Sequence, residues 1–150
     1  MVINMKIGIA SDHRGYKLKE KIIEKLSNKG YEFIDYGTNS EESLDYPSYA
    51  FDLCDGINKK EITYGIAICG TGIGMSIACN KVKNIMCARV NNLKEVKLAR
   101  QHNNANVLAL NESMKLKDVE KMIDLFVNTK LLEDKKYARR IKQIKKYEEL

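Results

Sequence analysis

One stretch of the sequence combines a thiol with a glycine-rich turn. Residues 64–69, with the sequence YGIAIC, are apolar and rich in β-branched side chains, which predicts a strand buried on both faces. Glycines at positions 70, 72 and 74 then indicate a turn, and we expect a helix over residues 75–80. A strand, a glycine turn and a helix N-terminus direct several backbone N–H groups at one point, an arrangement that binds anions. Cys69 therefore lies beside a predicted anion site, where its thiol can ionise and act as a base or a nucleophile.

Two familiar glycine motifs do not match this turn. The dinucleotide-binding pattern G-x-G-x-x-G requires glycine at position 75, where the chain has Met75, and it normally follows the first strand of its domain. The nucleotide-binding phosphate loop, G-x-x-x-x-G-K-[ST], does not occur in the sequence. The turn therefore fits a small anion better than a nucleotide.

Polar residues near other predicted element ends supply the remaining candidates for chemistry. Asp12 and His13 follow the first predicted strand, and His102 and Asn103 end a helix just before the fifth strand. For each histidine, capping or surface exposure is the alternative to catalysis, and for Cys69 the alternative is an inert buried thiol. The residues alone leave these alternatives open and indicate an α/β domain that binds a small anion.

The composition is that of one globular domain, which we expect to extend over residues 1–150. Hydrophobic residues make up 44% and charged residues 31%, so disorder is not expected. No apolar run reaches membrane-spanning length and no signal peptide is recognisable, so we expect a cytoplasmic protein with no membrane partner. The four cysteines lack C-x-x-C spacing, which argues against a metal site and favours reduced thiols.

The net charge of +6 is concentrated in the second half of the chain. Residues 1–75 carry 9 Lys and Arg against 11 Asp and Glu, whereas residues 76–150 carry 17 against 9. A basic half is compatible with nucleic-acid binding, with phosphorylated small molecules or simply with solvated lysines. Charge alone does not decide among these alternatives.

Predicted strands and helices alternate along the chain. Strands are expected at 5–10, 32–36, 64–69, 85–90 and 106–110, and helices at 16–29, 46–58, 75–80, 93–101 and 114–128. This alternation predicts a five-stranded parallel sheet with helices on both faces. Such sheets bind ligands beyond the carboxyl ends of their strands, where Asp12, His13 and Cys69 are placed.

The C-terminal tail differs from the rest of the chain. Tyr137, Ile141, Ile144 and Tyr147 recur at helical spacing among cations, which predicts a helix over about 135–148. So narrow an apolar stripe is stable only when it packs on another surface. That surface is either the same domain or a second subunit, and we favour the second subunit.

Several motifs together resemble ribose-5-phosphate isomerase type B and the related galactose-6-phosphate isomerase subunits. The resemblance extends from Met5 to about Ile144 and is most specific in C-G-T-G-I-G combined with R-Q-H-N. The matching segments are D-H-x-G at 12–15, DYP at 45–47, CGTGIG at 69–74, NK at 80–81, RQHN at 100–103 and NVLA at 106–109. The resemblance implies a Rossmann-like three-layer α/β/α fold, a homodimer or tetramer with active sites shared between subunits, and no cofactor.

The resemblance also implies a reaction and a role for individual residues. The reaction converts an aldose phosphate into a ketose phosphate through a cis-enediolate, with Cys69 as the base, Thr71 at the O1 and O2 hydroxyls and His102 as the acid that opens the sugar ring. The remaining residues would bind substrate: Asp12 and Asn103 the hydroxyls, Tyr46 the pocket wall, Gly70, Gly72, Ile73 and Gly74 the oxyanion, and His13, Lys136 and Arg140 the phosphate.

This chain departs from the family pattern at three places that concern the substrate. The family commonly has an arginine soon after the fifth strand, where this chain has Asn111-Glu112-Ser113, and Lys136 and Tyr137 replace an arginine and a histidine. Lysine keeps the charge of arginine but not its bidentate geometry. We expect ribose 5-phosphate and ribulose 5-phosphate as the substrate pair, with galactose or allose 6-phosphate as the alternative. A non-catalytic phosphosugar or nucleic-acid binding protein is the third possibility, and we expect no nucleic-acid partner.

Overall fold

A computed structural model describes residues 5–150, so the first four residues of the predicted domain lie outside the described part. Strands and helices alternate along it, as the sequence predicts. The strands are β1 (Lys6–Ser11), β2 (Glu32–Asp35), β3 (Tyr64–Cys69), β4 (Cys87–Arg89) and β5 (Val107–Asn111). The helices are α1 (Tyr16–Ser27), α2 (Pro47–Asn58), α3 (Ile73–Asn80), α4 (Leu93–Asn103), α5 (Leu116–Asn128) and α6 (Lys135–Glu148).

The five strands form one parallel sheet in the order β2-β1-β3-β5-β4. The chain moves from β1 outward to β2 and then returns across β1 to β3, so the strand order reverses between β1 and β3. Ser11 at the end of β1 pairs with Ile68, and Cys69 at the end of β3 pairs with Asn111. The carboxyl ends of β1, β3 and β5 therefore meet at the reversal point, where doubly wound sheets bind their ligands.

The core has two layers, one on each face of the sheet. Because side chains alternate along a strand, Ile66 and Ile68 face α1, α4 and α5, whereas Ala67 and Cys69 face α2 and α3. Small side chains on the second face bring α3 and its glycine turn close to the sheet. The predicted three-layer α/β/α fold is confirmed.

Several predicted element boundaries are wrong by one or two residues, and the contacts at α3 and β4 explain two of these errors. Helix α3 begins at Ile73 and not at residue 75, because Gly72 adopts a left-handed conformation with φ 79° and ends the turn two residues early. Strand β4 has three residues in place of the expected six. Its predicted first residue, Ile85, donates instead to the Val82 carbonyl in a turn, and the Met86 N–H bonds to Oδ1 of Asn106.

Helix α6 has the predicted bounds and lies partly on its own chain. Ile141 is buried and the Tyr137 ring contacts His102 of α4, whereas Ile144 and Tyr147 are 46% and 76% exposed. The apolar stripe is thus covered at its start and open at its end. Within residues 5–150, no helix combines the length and apolar character needed to cross a membrane.

Candidate active site

The loop after β1 is organised by the Asp12 carboxylate. Oδ1 of Asp12 accepts hydrogen bonds from the backbone N–H groups of Arg14 and Gly15, at 2.9 and 3.0 Å, which fixes the entry to α1. The neighbouring His13 accepts the Leu44 N–H at Nδ1, at 3.3 Å. A neutral His13 ring therefore carries its proton on Nε2 and can donate it to a ligand.

The thiol of Cys69 lies at the end of β3 and is 5% exposed. The N–H of Gly72 donates to Sγ of Cys69 over 3.2 Å, and Oγ1 of Thr71 accepts the Ile73 N–H over 3.1 Å. The sulfur therefore accepts a backbone hydrogen bond at the start of α3. The turn thus places a sulfur that can take up a proton beside donors that can hold a developing negative charge.

Tyr46 lies directly against the first turn of α3. It precedes α2, and a Cβ atom added to Gly74 would stand 2.6 Å from Cζ of its ring. Only glycine at position 74 permits this contact. The tyrosine ring therefore forms one wall beside the glycine turn that follows Cys69.

Two residues near the glycine turn were missed in the sequence analysis. Arg14 donates from Nε and Nη2 to the two carboxylate oxygens of Glu112, at 2.9 and 2.6 Å, and Glu112 follows β5. A Cβ atom on Gly70 would stand 3.2 Å from Cζ of Arg14, so the guanidinium lies against the turn. The hydrogen bond to Glu112 raises the pKa of Arg14, and the same bond lowers the pKa of Glu112. Their positions just after two strand carboxyl ends were the available signal.

The backbone carbonyl of Thr71, within the turn, accepts a hydrogen bond from a third residue that had no predicted role. Nε of Arg89, at the end of β4, donates to the Thr71 carbonyl over 3.0 Å. Arg89 and Arg14 therefore contact the turn from two different strand ends.

A second group of predicted site residues lies on α4 and α6. His102 and Asn103 end α4, and the rings of His102 and Tyr137 stack at 4.5 Å with an interplanar angle of 6°. Asn103 and Arg140 line one cleft of about 800 Å³, whose other walls are largely apolar. Lys136, one residue before Tyr137, approaches Asp134 at 3.8 Å.

Within one chain these two groups lie at opposite ends of the parallel strands, the first at their carboxyl ends and the second near their amino ends. Arg100, in the last turn of α4, donates to the hydroxyl of Tyr64 over 3.2 Å. Tyr64 begins β3 and Cys69 ends it, a separation of about 16 Å at the usual rise of a strand. The structure therefore brings together the first group: Asp12, His13, Tyr46, Cys69, Gly70, Thr71, Gly72, Ile73 and Gly74. The second group of His102, Asn103, Lys136 and Arg140 lies elsewhere on the chain.

The other three cysteines form a separate buried group below α2, α3 and β4. Hydrogen bonds to Cys79 and burial raise the pKa values of Cys54 and Cys87, while the bonds from these two thiols lower that of Cys79. No group of three or more His, Cys, Asp or Glu in the part of the chain described here is arranged to hold a metal ion. Cys69 is thus the cysteine that faces the glycine turn.

Comparison with known proteins agrees with this arrangement. The model of the family described as Ribose/Galactose Isomerase matches residues 7–144. The probable ribose-5-phosphate isomerase B of Mycoplasma genitalium is 42% identical over 150 residues, covering 97% of each chain.

Solved structures give the same result. Ribose-5-phosphate isomerase B of Clostridium thermocellum superposes with a TM-score of 0.92 at 40% identity, covering 97% of this chain and 98% of the other. The Mycoplasma genitalium enzyme with bound ribulose-5-phosphate gives 0.90 at 39% identity, with 99% of each chain covered. The chain described here belongs to the ribose/galactose isomerase family of sugar-phosphate isomerases.

Proposed function

We propose that this protein interconverts D-ribose 5-phosphate and D-ribulose 5-phosphate and so serves the pentose phosphate pathway. The observation that carries the proposal is the Cys69 thiol at the carboxyl end of β3, bonded to the Gly72 N–H at 3.2 Å. Aldose–ketose isomerisation requires a base within reach of a carbon acid and donors for the enediolate oxygens. Cys69 and the turn that follows it supply both.

Cys69 acts as the base in this proposal. Its thiolate removes the proton from C2 of the open-chain aldose and returns a proton to C1, while the electron pair moves through the cis-enediolate. The N–H groups of residues 70–74 hold the negative oxygen, and the Thr71 hydroxyl contacts O1 and O2. Loss of one such donor typically raises a barrier by about 2.7–4 kcal/mol.

The ring-opening acid must come from a second copy of the chain. His102 lies near the amino ends of the strands and Cys69 at the carboxyl end of β3, so one protomer alone does not place His102 over the turn. In a two-fold symmetric dimer, the Cys69 group of each copy can meet the His102 group of the other copy. Ile73 and Ile77, one turn apart on α3 beside Cys69, are 48% and 57% exposed and supply an apolar surface for that contact. We therefore infer a homodimer with two shared sites.

The remaining residues bind the substrate in this arrangement. Asp12 and Asn103 orient the sugar hydroxyls, and Tyr46 forms the wall beside the turn. His13 of one copy meets Arg140 and Lys136 of the other around the phosphate, which Arg140 can hold by a bidentate pair of hydrogen bonds. The reaction needs no cofactor. Free thiols at Cys54, Cys69, Cys79 and Cys87 fit a reducing cytoplasm.

A hexose 6-phosphate is the second candidate substrate. The loop after β5 carries Glu112 and Ser113 where the family commonly has an arginine, and Glu112 binds Arg14 beside the turn. The Glu112 carboxylate can accept hydrogen bonds from additional sugar hydroxyls, and the Ser113 hydroxyl can donate or accept them. A comparison of kcat/KM for ribose, allose and galactose phosphates decides between the two, and we expect ribose 5-phosphate to give the highest value.

The test of Cys69 is its replacement by alanine. We expect Cys69→Ala to lower kcat for ribose 5-phosphate by about 100-fold or more, because general base catalysis contributes that much. KM should change little and the fold should be retained. Cys54→Ala is the matched control, since Cys54 is also a buried thiol but lies on α2 away from the turn. Full activity in Cys69→Ala would rule out this thiol as the base.

A further inference from the structure

The ring of His102 is held by stacking and not by hydrogen bonds. Its plane lies 6° from that of Tyr137, with the ring centres 4.5 Å apart. Across residues 5–150, neither ring nitrogen of His102 has a hydrogen-bond partner. Imidazoles with a fixed orientation usually owe it to a hydrogen bond at one nitrogen. Here both nitrogens stay available for a ligand.

The two stacked rings are each anchored through the backbone. The Leu132 N–H donates to the Gln101 carbonyl at 3.0 Å, which ties the segment before α6 to the residue preceding His102. The Asp134 side chain accepts the Lys136 N–H at 3.0 Å and caps α6, next to Tyr137. These bonds hold the backbone segments that carry the two rings.

The end of α4 is fixed independently. Arg100 donates from Nη1 to the Ala105 carbonyl at 2.8 Å and from Nε to the Thr129 carbonyl at 2.9 Å. It is buried, so these bonds form in a medium where they are strong. The backbone of His102 is therefore held by Arg100, and the direction of its ring is left to Tyr137.

We propose that Tyr137 is a positioning residue for ring opening, an inference that rests on the proposed role of His102. In that step the His102 N–H gives its proton to the ring oxygen, which receives the electron pair of the breaking C1–O bond. The C1 hydroxyl loses its proton to water and becomes the carbonyl. A flat aromatic partner fixes the plane of the imidazole and blocks neither nitrogen. Tyr137 does so with a contact area that phenylalanine would keep and leucine would not.

The substrate pair offers a way to separate ring opening from proton transfer at carbon. Ribose 5-phosphate is mainly a closed ring, whereas ribulose 5-phosphate cannot close a five-membered ring because its C5 oxygen carries the phosphate. Exchange of the C1 hydrogen of ribulose 5-phosphate with deuterated water therefore needs the base but not the ring-opening acid. Turnover of ribose 5-phosphate needs both.

The experiment compares Tyr137→Leu and Tyr137→Phe in these two assays. For Tyr137→Leu we expect kcat for ribose 5-phosphate to fall about 10- to 100-fold, as misplacement of a reacting group does. Its KM and its C1 exchange on ribulose 5-phosphate should stay within about twofold, since these depend little on ring direction. Tyr137→Phe should resemble the wild type in both assays. Equal losses in both assays for Tyr137→Leu would mean a merely structural role and overturn the inference.

His102→Gln distinguishes this inference from the proposed function. If His102→Gln turns over ribose 5-phosphate normally, the proposed role of His102 is wrong, and the inference is wrong with it. If His102→Gln is impaired while Tyr137→Leu is normal, only the role of Tyr137 is wrong.

Nuclear magnetic resonance on the wild-type protein tests the stacking of His102 on Tyr137 without any change at position 137. A stacked tyrosine shifts the ring proton resonances of His102 upfield, and the chain has only two histidines, so His102→Gln assigns them. We expect this upfield shift in the wild type and in Tyr137→Phe. Unshifted His102 resonances in the wild type would overturn the inference.

Discussion

The position of the hydrogen bond to the Cys69 sulfur depends on Gly72, whose backbone N–H donates it. Gly72 has φ 79°, and a Cβ atom there would lie 3.2 Å from the Leu110 carbonyl oxygen of β5. A side chain is therefore disfavoured by the backbone conformation and by the tight contact, at a residue whose N–H bonds to the Cys69 sulfur. The same residue ends the turn and is the N-cap of α3.

Replacement of Gly72 by alanine should affect both stability and activity. We expect Gly72→Ala to lower the free energy of unfolding by about 1–3 kcal/mol, the usual cost of a left-handed non-glycine residue. The kcat should fall about 10-fold or more, because the N–H moves away from Sγ. Urea unfolding and steady-state kinetics measure the two effects. In Gly70→Ala, the control, the added methyl meets only the flexible Arg14 side chain, and equal stability losses in both variants would contradict this account.

The ion pair of Arg14 and Glu112 makes a prediction about pH. The pKa of Glu112 is lowered in the folded state, mainly by the hydrogen bond from Arg14. Its stabilising contribution is therefore complete above the pKa of the unfolded chain, near 4.5, and is lost as the pH falls through the lower folded value. We expect wild type to have a slightly higher Tm than Glu112→Gln at pH 7, a small difference because the pair is exposed.

That Tm difference should disappear on acidification. Thermal unfolding followed by circular dichroism between pH 7 and pH 3 measures it, and Arg14→Gln should behave in the same way. A difference that stays constant down to pH 3 would mean that Glu112 stabilises the protein by some means other than the pair.

At the scale of elements, Arg100 links four parts of the fold. It donates to the Thr129 and Ala105 carbonyls, to Asn104 and to the Tyr64 hydroxyl, and so joins α4 to β3 and to the segment after α5. The arginine of the R-Q-H-N motif thus has a structural role, whereas Asn103 lines the cleft and His102 stacks on Tyr137. One short motif contains both kinds of residue.

Removal of the Arg100 guanidinium should destabilise the protein strongly. We expect Arg100→Met to lower the free energy of unfolding by about 2–4 kcal/mol, since it leaves buried carbonyl groups without donors. Arg100→Lys should recover only part of this, because one ammonium cannot reach several acceptors at once. Urea denaturation measures the change, and exposed Arg139→Met on α6 serves as the control. A loss of under 0.5 kcal/mol in Arg100→Met would contradict the structural role.

The sequence was sufficient for the order of elements and insufficient for some of their ends. Alternating apolar segments identified β1 to β5, α1 to α6 and the position of Cys69 at a strand end. The starts of α3 and β4 depended on the left-handed Gly72 and on bonds made by Ile85 and Met86, which periodicity does not reveal. The 135–148 helix was predicted, but its partner surface was not decided.

Contacts between residues distant in sequence were beyond prediction. Arg14 and Glu112 are 98 residues apart, and His102 and Tyr137 meet only because α4 and α6 pack together. Nothing in local composition distinguishes Arg14 from another solvated arginine. The roles of Cys69, His102 and their neighbours came from the family resemblance and stay predictions.

At the scale of the whole molecule, the position of the two groups sets the requirement for a partner. Cys69 and its turn lie at the carboxyl ends of the strands, and His102 and Arg140 lie near the amino ends. A site that contains the acid, the base and the phosphate ligands therefore requires both groups of residues at one place. We therefore infer that activity depends on two copies of the chain.

Subunit complementation between two inactive variants tests this claim most directly. Cys69→Ala and His102→Gln are co-expressed with different tags, and the mixed dimer is isolated by sequential affinity steps. Each mixed dimer then contains one site with both residues intact and one with neither, so we expect about half of the wild-type activity with ribose 5-phosphate. Each variant alone should be nearly inactive. A mixed dimer as inactive as its parents would show that Cys69 and His102 do not meet across an interface, and the shared-site account would be wrong.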